Sequence, residues 1–116
     1  MKIEKTFRAI IYVGLKGHYD GKIHLIEEAE SICQEYCNEV GLCITITPLK
    51  FVYKDGGENG CAIGLINYPR FPSSEETILN HGIQIGKLLM KEFSQMKVSI
   101  VCDGKTYMLE ESDLTT

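Results

Sequence analysis

The sequence predicts an α+β fold, one antiparallel sheet with two helices on one face, and three of its features carry that prediction. Phe7, Ala9, Ile11, Val13 and Leu15 recur at every second position, the pattern of a strand with one strongly apolar face. Two longer segments switch to spacings of three and four, the period of an amphipathic helix. Around them lie β-branched runs punctuated by glycine, proline and aspartate turn signals.

The first strand spans Thr6 to Leu15, and its second face, with Ile10 and Tyr12, is partly apolar too. A helix follows from His24 to Val40, where Leu25, Ala29, Ile32, Cys33, Tyr36, Cys37 and Val40 share a face and Gly41 supplies a left-handed stop. Leu42 to Thr47 is a β-branched strand that resumes as Phe51-Val52-Tyr53. Pro48 between them lacks a ladder donor and predicts an edge position or a bulge. The polar tract KDGGENG, Lys54 to Gly60, reads as a hairpin loop into a short strand, Cys61 to Asn67.

Ser73-Ser74-Glu75-Glu76 matches a capping box, with Ser73 accepting from the third helical amide and Glu76 reaching back. The second helix then runs to about Gln95, with Ile78, Gly82, Ile85, Leu89 and Phe93 as its apolar stripe. Gly82 and Gly86 let it lie close to its neighbour. Val98 to Cys102 and Thr106 to Leu109 are strands joined by Asp103-Gly104, a type I′ turn signal. A single domain over residues 1–112 and a frayed tail at 113–116 complete the reading.

The order β-α-β-β-α-β-β fits a ferredoxin-like βαββαβ(β) antiparallel sheet with two helices on one face most simply. Apolar residues occupy both faces of its strands, so the uncovered face predicts a homo-oligomer. The net charge of −4 argues against bulk nucleic-acid binding, which needs a net basic face. No apolar run reaches the roughly 18 residues of a membrane helix, and the start, MKIEKTF, lacks a signal-peptide core. These features predict no membrane partner and a cytoplasmic protein. The odd cysteine count, five, places Cys33, Cys37, Cys43, Cys61 and Cys102 as reduced thiols.

The stretch NYPRFPSSEE, Asn67 to Glu76, holds one of the chain's two arginines between aromatics and prolines just before a helix start. The predicted topology brings Arg8 and the turn before Lys105 to the same end. Arg70, Arg8, Tyr68, Phe71, Lys105 and Ser73 therefore form a candidate ligand site: guanidinium for phosphate, rings for a base, and helix amides for an anion. A structural role for Arg70, paired with Glu75 or Glu76 or stacked on Tyr68, and a subunit contact stay open beside it.

Gly14 to Lys22 forms a second glycine loop facing KDGGENG, with His18, Tyr19 and Lys22 as another possible ligand surface. It is not a P-loop, because only three residues separate Gly17 from Gly21-Lys22 and Ile23 follows. No CxxC or HExxH pair occurs, so no metal and no cofactor are expected. No paired carboxylates or activated thiol appear, and no catalytic residue is nominated.

YVGL (Tyr12 to Leu15), EYCNEVGLCITITP (Glu35 to Pro48) and GLINYPRFP (Gly64 to Pro72) together resemble small phage-encoded proteins, in particular the phage Thoeris anti-defence family. That resemblance implies a sponge for cyclic ADP-ribose-type nucleotide signals. The architecture alone is also similar to the PII and CutA ferredoxin-like trimers. The resulting expectation is a non-enzymatic oligomer that sequesters a small anionic ligand, a nucleotide immune signal, in phage counter-defence. The alternatives are a small nucleotide- or phosphoester-processing enzyme using His18 or a cysteine, and a module that docks on a host protein.

Overall fold

The computed structural model describes residues 1–70 and 72–115. Its elements are β1 (Arg8–Gly14), α1 (Ile26–Val40), β2 (Thr45–Tyr53), β3 (Gly56–Ile66), α2 (Glu75–Glu92), β4 (Lys97–Cys102) and β5 (Lys105–Glu110). The strands form one sheet in the order β2-β3-β1-β4-β5, and every neighbouring pair is antiparallel. This is the α+β, ferredoxin-like arrangement the sequence predicts, with β5 added beyond β4.

Alternation along the strands sets the core. Ala9, Ile11 and Val13 lie beside Leu65, Ile63 and Cys61 on one flank, and Ala9 and Ile11 lie beside Cys102 and Ile100 on the other. All are buried beneath Ile78, Ile85, Leu89 and Met90 of α2 and Phe93 at its C-cap. Each large aliphatic side chain removed from water in this way contributes about 1.5–3 kcal/mol. Helix α1 buries only Ala29 and Cys33 fully and ends at Gly41, whose φ of 71° is the left-handed stop.

The opposite face of the sheet carries Ile10, Tyr12, Leu49, Phe51, Ile66 and Val101, all half-buried, with Met108 exposed beside them. No helix covers it.

Several boundaries differ from the sequence expectation. KDGGENG is not a loop: the chain turns at Lys54-Asp55, with Asp55 at φ 59°, and Gly56 to Gly60 already pair with Leu49 to Tyr53. Backbone hydrogen bonds need no side chain, so a polar glycine tract extends a ladder as well as an apolar one. Strand β2 runs unbroken through Pro48 because it is an edge strand, where a missing N–H is tolerated.

Helix α1 starts at Ile26, two residues later than expected, with Leu25 as N-cap and its N–H donating to Glu28 Oε2 at 2.6 Å. Helix α2 is capped by Ser74 rather than Ser73, its Oγ accepting from the Thr77 N–H at 3.1 Å. The expected tail instead makes a short 3-10 helix, Glu111–Thr115, and Leu114 packs against the core. Asp103 and Gly104 both have positive φ, 45° and 82°, as a type I′ turn requires.

Candidate functional site

At the end of the sheet where the sequence places its ligand site, Arg8 pairs with Ile66, and Cys102, beside Ala9, pairs with Lys105. The backbone positions of Arg8, Lys105 and the Asn67–Arg70 segment thus share one end. Arg8, Arg70 and Lys105 are exposed. Tyr68 is half-buried, and its hydroxyl, hydrogen-bonded with Cys43, titrates above the usual tyrosine range. That contact turns the ring toward the start of β2. Ser73 precedes the cap, and Phe71 lies outside the described residues.

Asn67 beside them has a structural task. Its buried amide accepts from the Phe7 N–H at 2.6 Å and donates to the Lys5 carbonyl at 2.7 Å, extending the β1–β3 ladder past Arg8.

The opposite end is built differently. The segment after β1 leaves the sheet as a small loop closed by the Lys16–Ile23 bridge and by the Gly17 N–H to Lys22 carbonyl bond at 2.8 Å. Asp20 organises it, accepting from the Lys22 N–H at 2.9 Å and from Ser94 Oγ at 3.3 Å. The Lys22 amide bond holds the Asp20 carboxyl below its ordinary range. The His18 N–H donates to the Ser94 carbonyl at 2.9 Å. Through Asp20 and His18 the loop is stitched to the turn between α2 and β4, which places Gln95 over β1.

Three adjoining depressions of about 300, 310 and 280 Å³ surround this junction. Glu58 lines all three and is the acidic residue among their linings. The one on the uncovered face of the sheet is bounded by Tyr12, Phe51, Tyr53, Glu58, Gln95 and Lys97. Its floor is made by glycines. A Cβ at Gly14 would stand 2.8 Å from Glu58 Oε2 and 2.9 Å from Gln95 Oε1, and the Phe51 ring lies over Gly60.

The cleft therefore combines three aromatic rings, a half-buried carboxylate and an amide oxygen, with Lys16 and Lys97 along its sides. Among the described residues, no group donates a hydrogen bond to the Glu58 carboxylate and none pairs with it. Such a lining offers stacking for a flat ring and acceptors for hydroxyl or ammonium donors.

Sequence reasoning singled out the His18 loop and its opposition to KDGGENG, and His18 does line a depression together with Glu58. It missed Tyr12, Phe51, Tyr53, Glu58 and Gln95. Reading the glycine tract as strand would have paired Phe51 with Glu58 and found most of them.

The thiols offer no nucleophile in the core. Burial pushes Cys33 up to about 12 and Cys61 and Cys102 up to about 11, so all three stay protonated at neutral pH. His24 is buried and stacked on Phe93 with ring centroids 4.6 Å apart. Tyr36 and His81 share a 2.7 Å hydrogen bond between the two helices. Both histidines belong to the helix layer rather than to the cleft.

No protein-family model and no curated protein sequence matches this chain. Solved structures do. A phage SAM lyase in complex with S-methyl-5′-thioadenosine superposes with a TM-score of 0.71 at 18% identity, covering 97% of this chain and 98% of its own. A phage SAM lyase in its apo state superposes with a TM-score of 0.67 at 20% identity, over 90% of this chain and 88% of its own.

The likeness establishes the fold. It also overturns the expectation of a non-enzymatic sponge, because both solved structures reported above are of a phage SAM lyase, an enzyme. They are phage proteins, in keeping with the phage character of the sequence resemblance, while no family model supports the Thoeris sponge assignment. Among the described residues no helix is long and apolar enough to cross a membrane. The chain is thus similar in fold to these phage SAM lyase structures over nine-tenths or more of its length.

Proposed function

We propose that the protein is a lyase acting on a sulfonium nucleoside of the SAM type, with its site in the cleft bounded by Tyr12, Phe51, Tyr53, Glu58 and Gln95. The observation that carries this reading is the end-to-end match to a SAM lyase holding S-methyl-5′-thioadenosine, joined to a cleft whose chemistry suits a nucleoside. The aromatic rings supply a surface for the purine, and Glu58 and Gln95 supply acceptors for the polar part of the ligand.

Release of S-methyl-5′-thioadenosine from SAM breaks the bond between sulfur and the four-carbon amino-acid chain. The electron pair goes to sulfur, which becomes a neutral thioether. As that bond breaks, the fragment's own carboxylate oxygen bonds to the departing carbon and closes a lactone, so no proton is released and no water is added. Positive charge disappears from sulfur in this step, so a cleft that sheds water favours it, and the residues act by binding and orienting rather than as nucleophiles. A neutral thioether nucleoside as product replaces the anionic nucleotide expected from the arginine-rich end.

The uncovered apolar face of the sheet supports a homo-oligomer, because Ile10, Leu49, Ile66, Val101 and Met108 continue outward from the cleft. A second copy seated there would also exclude water from it. Light scattering on the purified chain reads that assembly directly, and a monomer at all concentrations would remove this part of the proposal.

The test of the reaction is incubation with SAM followed by mass analysis of the quenched mixture. Accumulation of S-methyl-5′-thioadenosine in excess of enzyme, lost in Phe51→Ala and Glu58→Ala, supports the proposal. SAM recovered intact would overturn it.

A further inference from the structure

The orientation of Gln95 is fixed by the backbone around it. Its Nε2 donates to the Lys16 carbonyl at 2.7 Å and to the Phe93 carbonyl at 3.1 Å, so both amide hydrogens are committed. A flipped amide would set Oε1 against two carbonyl oxygens, and the network therefore assigns the oxygen to the other side. There it meets Glu58 Oε2: the two oxygens lie 2.9 and 2.8 Å from the same point above Gly14.

Two acceptors thus converge where no Cβ fits, and among the described residues neither receives a donor. Lys16 and Lys97 line the same depressions without pairing to Glu58. A neutral ligand with two adjacent O–H donors satisfies both oxygens.

We infer that Gln95 Oε1 and Glu58 Oε2 form a clamp for the vicinal 2′,3′-diol of a ribonucleoside, with Gln95 as a specificity-determining residue. The inference rests on the lyase reading above and deepens it, because it places the ribose over Gly14 and leaves the Phe51 and Tyr53 rings for the base. A site that hydrogen-bonds a hydroxyl rejects the analogue lacking it, since the acceptor is left unpaired.

Calorimetric titration of the full-length wild-type protein with S-methyl-5′-thioadenosine and its 2′-deoxy and 3′-deoxy analogues tests this without any mutation. The analogue lacking the hydroxyl held by Glu58 is expected to bind at least about tenfold more weakly than the parent, and the one lacking the hydroxyl held by the neutral Gln95 oxygen about 2–10-fold more weakly. In Gln95→Met the penalty for at least one missing hydroxyl should shrink. Equal affinity for the parent and both analogues in the wild type would overturn the clamp while leaving the nucleoside reading intact. Failure of all three to bind at millimolar concentration would overturn both.

Discussion

Replacing Gly14 by alanine separates the cleft from the fold that carries it. Gly14 ends β1 without a positive φ, so its backbone accepts an L side chain, and removing a strand glycine by itself stabilises by roughly 0.5–1 kcal/mol. The new Cβ would lie 2.8 Å from Glu58 Oε2, 2.9 Å from Gln95 Oε1 and 3.3 Å from Glu58 Cδ, closer than side chains tolerate. Glu58 retreats at little cost because it is the tip of a flexible chain. Gln95 retreats only by stretching its bonds to the Lys16 and Phe93 carbonyls, at about 1 kcal/mol each.

The two stretched bonds outweigh the glycine term by about 1 kcal/mol, so the melting temperature should fall by roughly 4–8 °C with the fold retained. Ligand binding has no such compensation. Displacing two acceptors, one of them charged, removes about 1.5–3 kcal/mol of binding, which is roughly a 10–100-fold rise in Kd for S-methyl-5′-thioadenosine. Calorimetry for the Kd and thermal scanning for stability read the two effects separately. An unchanged Kd in a protein of unchanged stability would refute the placement of the ligand over Gly14. Loss of folding would refute the account of the glycine.

Ser74→Ala should cost about 1 kcal/mol of unfolding free energy in denaturant titration, whereas Ser73→Ala should cost little, because only Ser74 accepts from the Thr77 N–H. Gly82→Ala should stabilise by up to about 1 kcal/mol, since its Cβ would meet Ala9 and Ile100 at an ordinary 3.6 Å. Gly86→Ala should forfeit that gain, because its Cβ would stand 2.9 Å from Leu109 Cδ1; an equal response of the two sites would contradict the packing described. The Leu25 amide bond lowers the Glu28 carboxyl below its ordinary 4.5 in the folded chain. Its stabilisation is therefore full above 4.5 and lost as pH falls through the lowered value. The difference in melting temperature between wild type and Glu28→Ala should be positive at neutral pH and vanish in acid.

The fold was legible in the sequence because each core element announces its period. Phe7 to Leu15 alternate, the α2 stripe keeps helical spacing, and Asp103-Gly104 fixes the last hairpin. The site was much less legible, for a physical reason. Its residues come from β1, the β2–β3 hairpin and the turn after α2, and they meet only through strand register.

Glu58 sits in a glycine-rich tract whose polarity signals a loop, yet the tract pairs as strand because a backbone ladder is indifferent to side chains. Gln95 carries no signature at all. Its role comes from two carbonyls that hold its amide, one of them 79 residues away along the chain. Arg70, by contrast, stands between aromatics and prolines, a motif that the sequence shows directly.

Turnover at the Gly14 end of the sheet can be separated from turnover at the Arg70 end by comparing three proteins. Wild-type protein, Arg70→Ala and Glu58→Ala are each incubated with excess SAM, and S-methyl-5′-thioadenosine is counted per enzyme chain. The account predicts many turnovers for wild type and for Arg70→Ala, and a loss of at least about tenfold for Glu58→Ala with its fold intact. Intact SAM in all three, or activity that follows Arg70 and ignores Glu58, would contradict it.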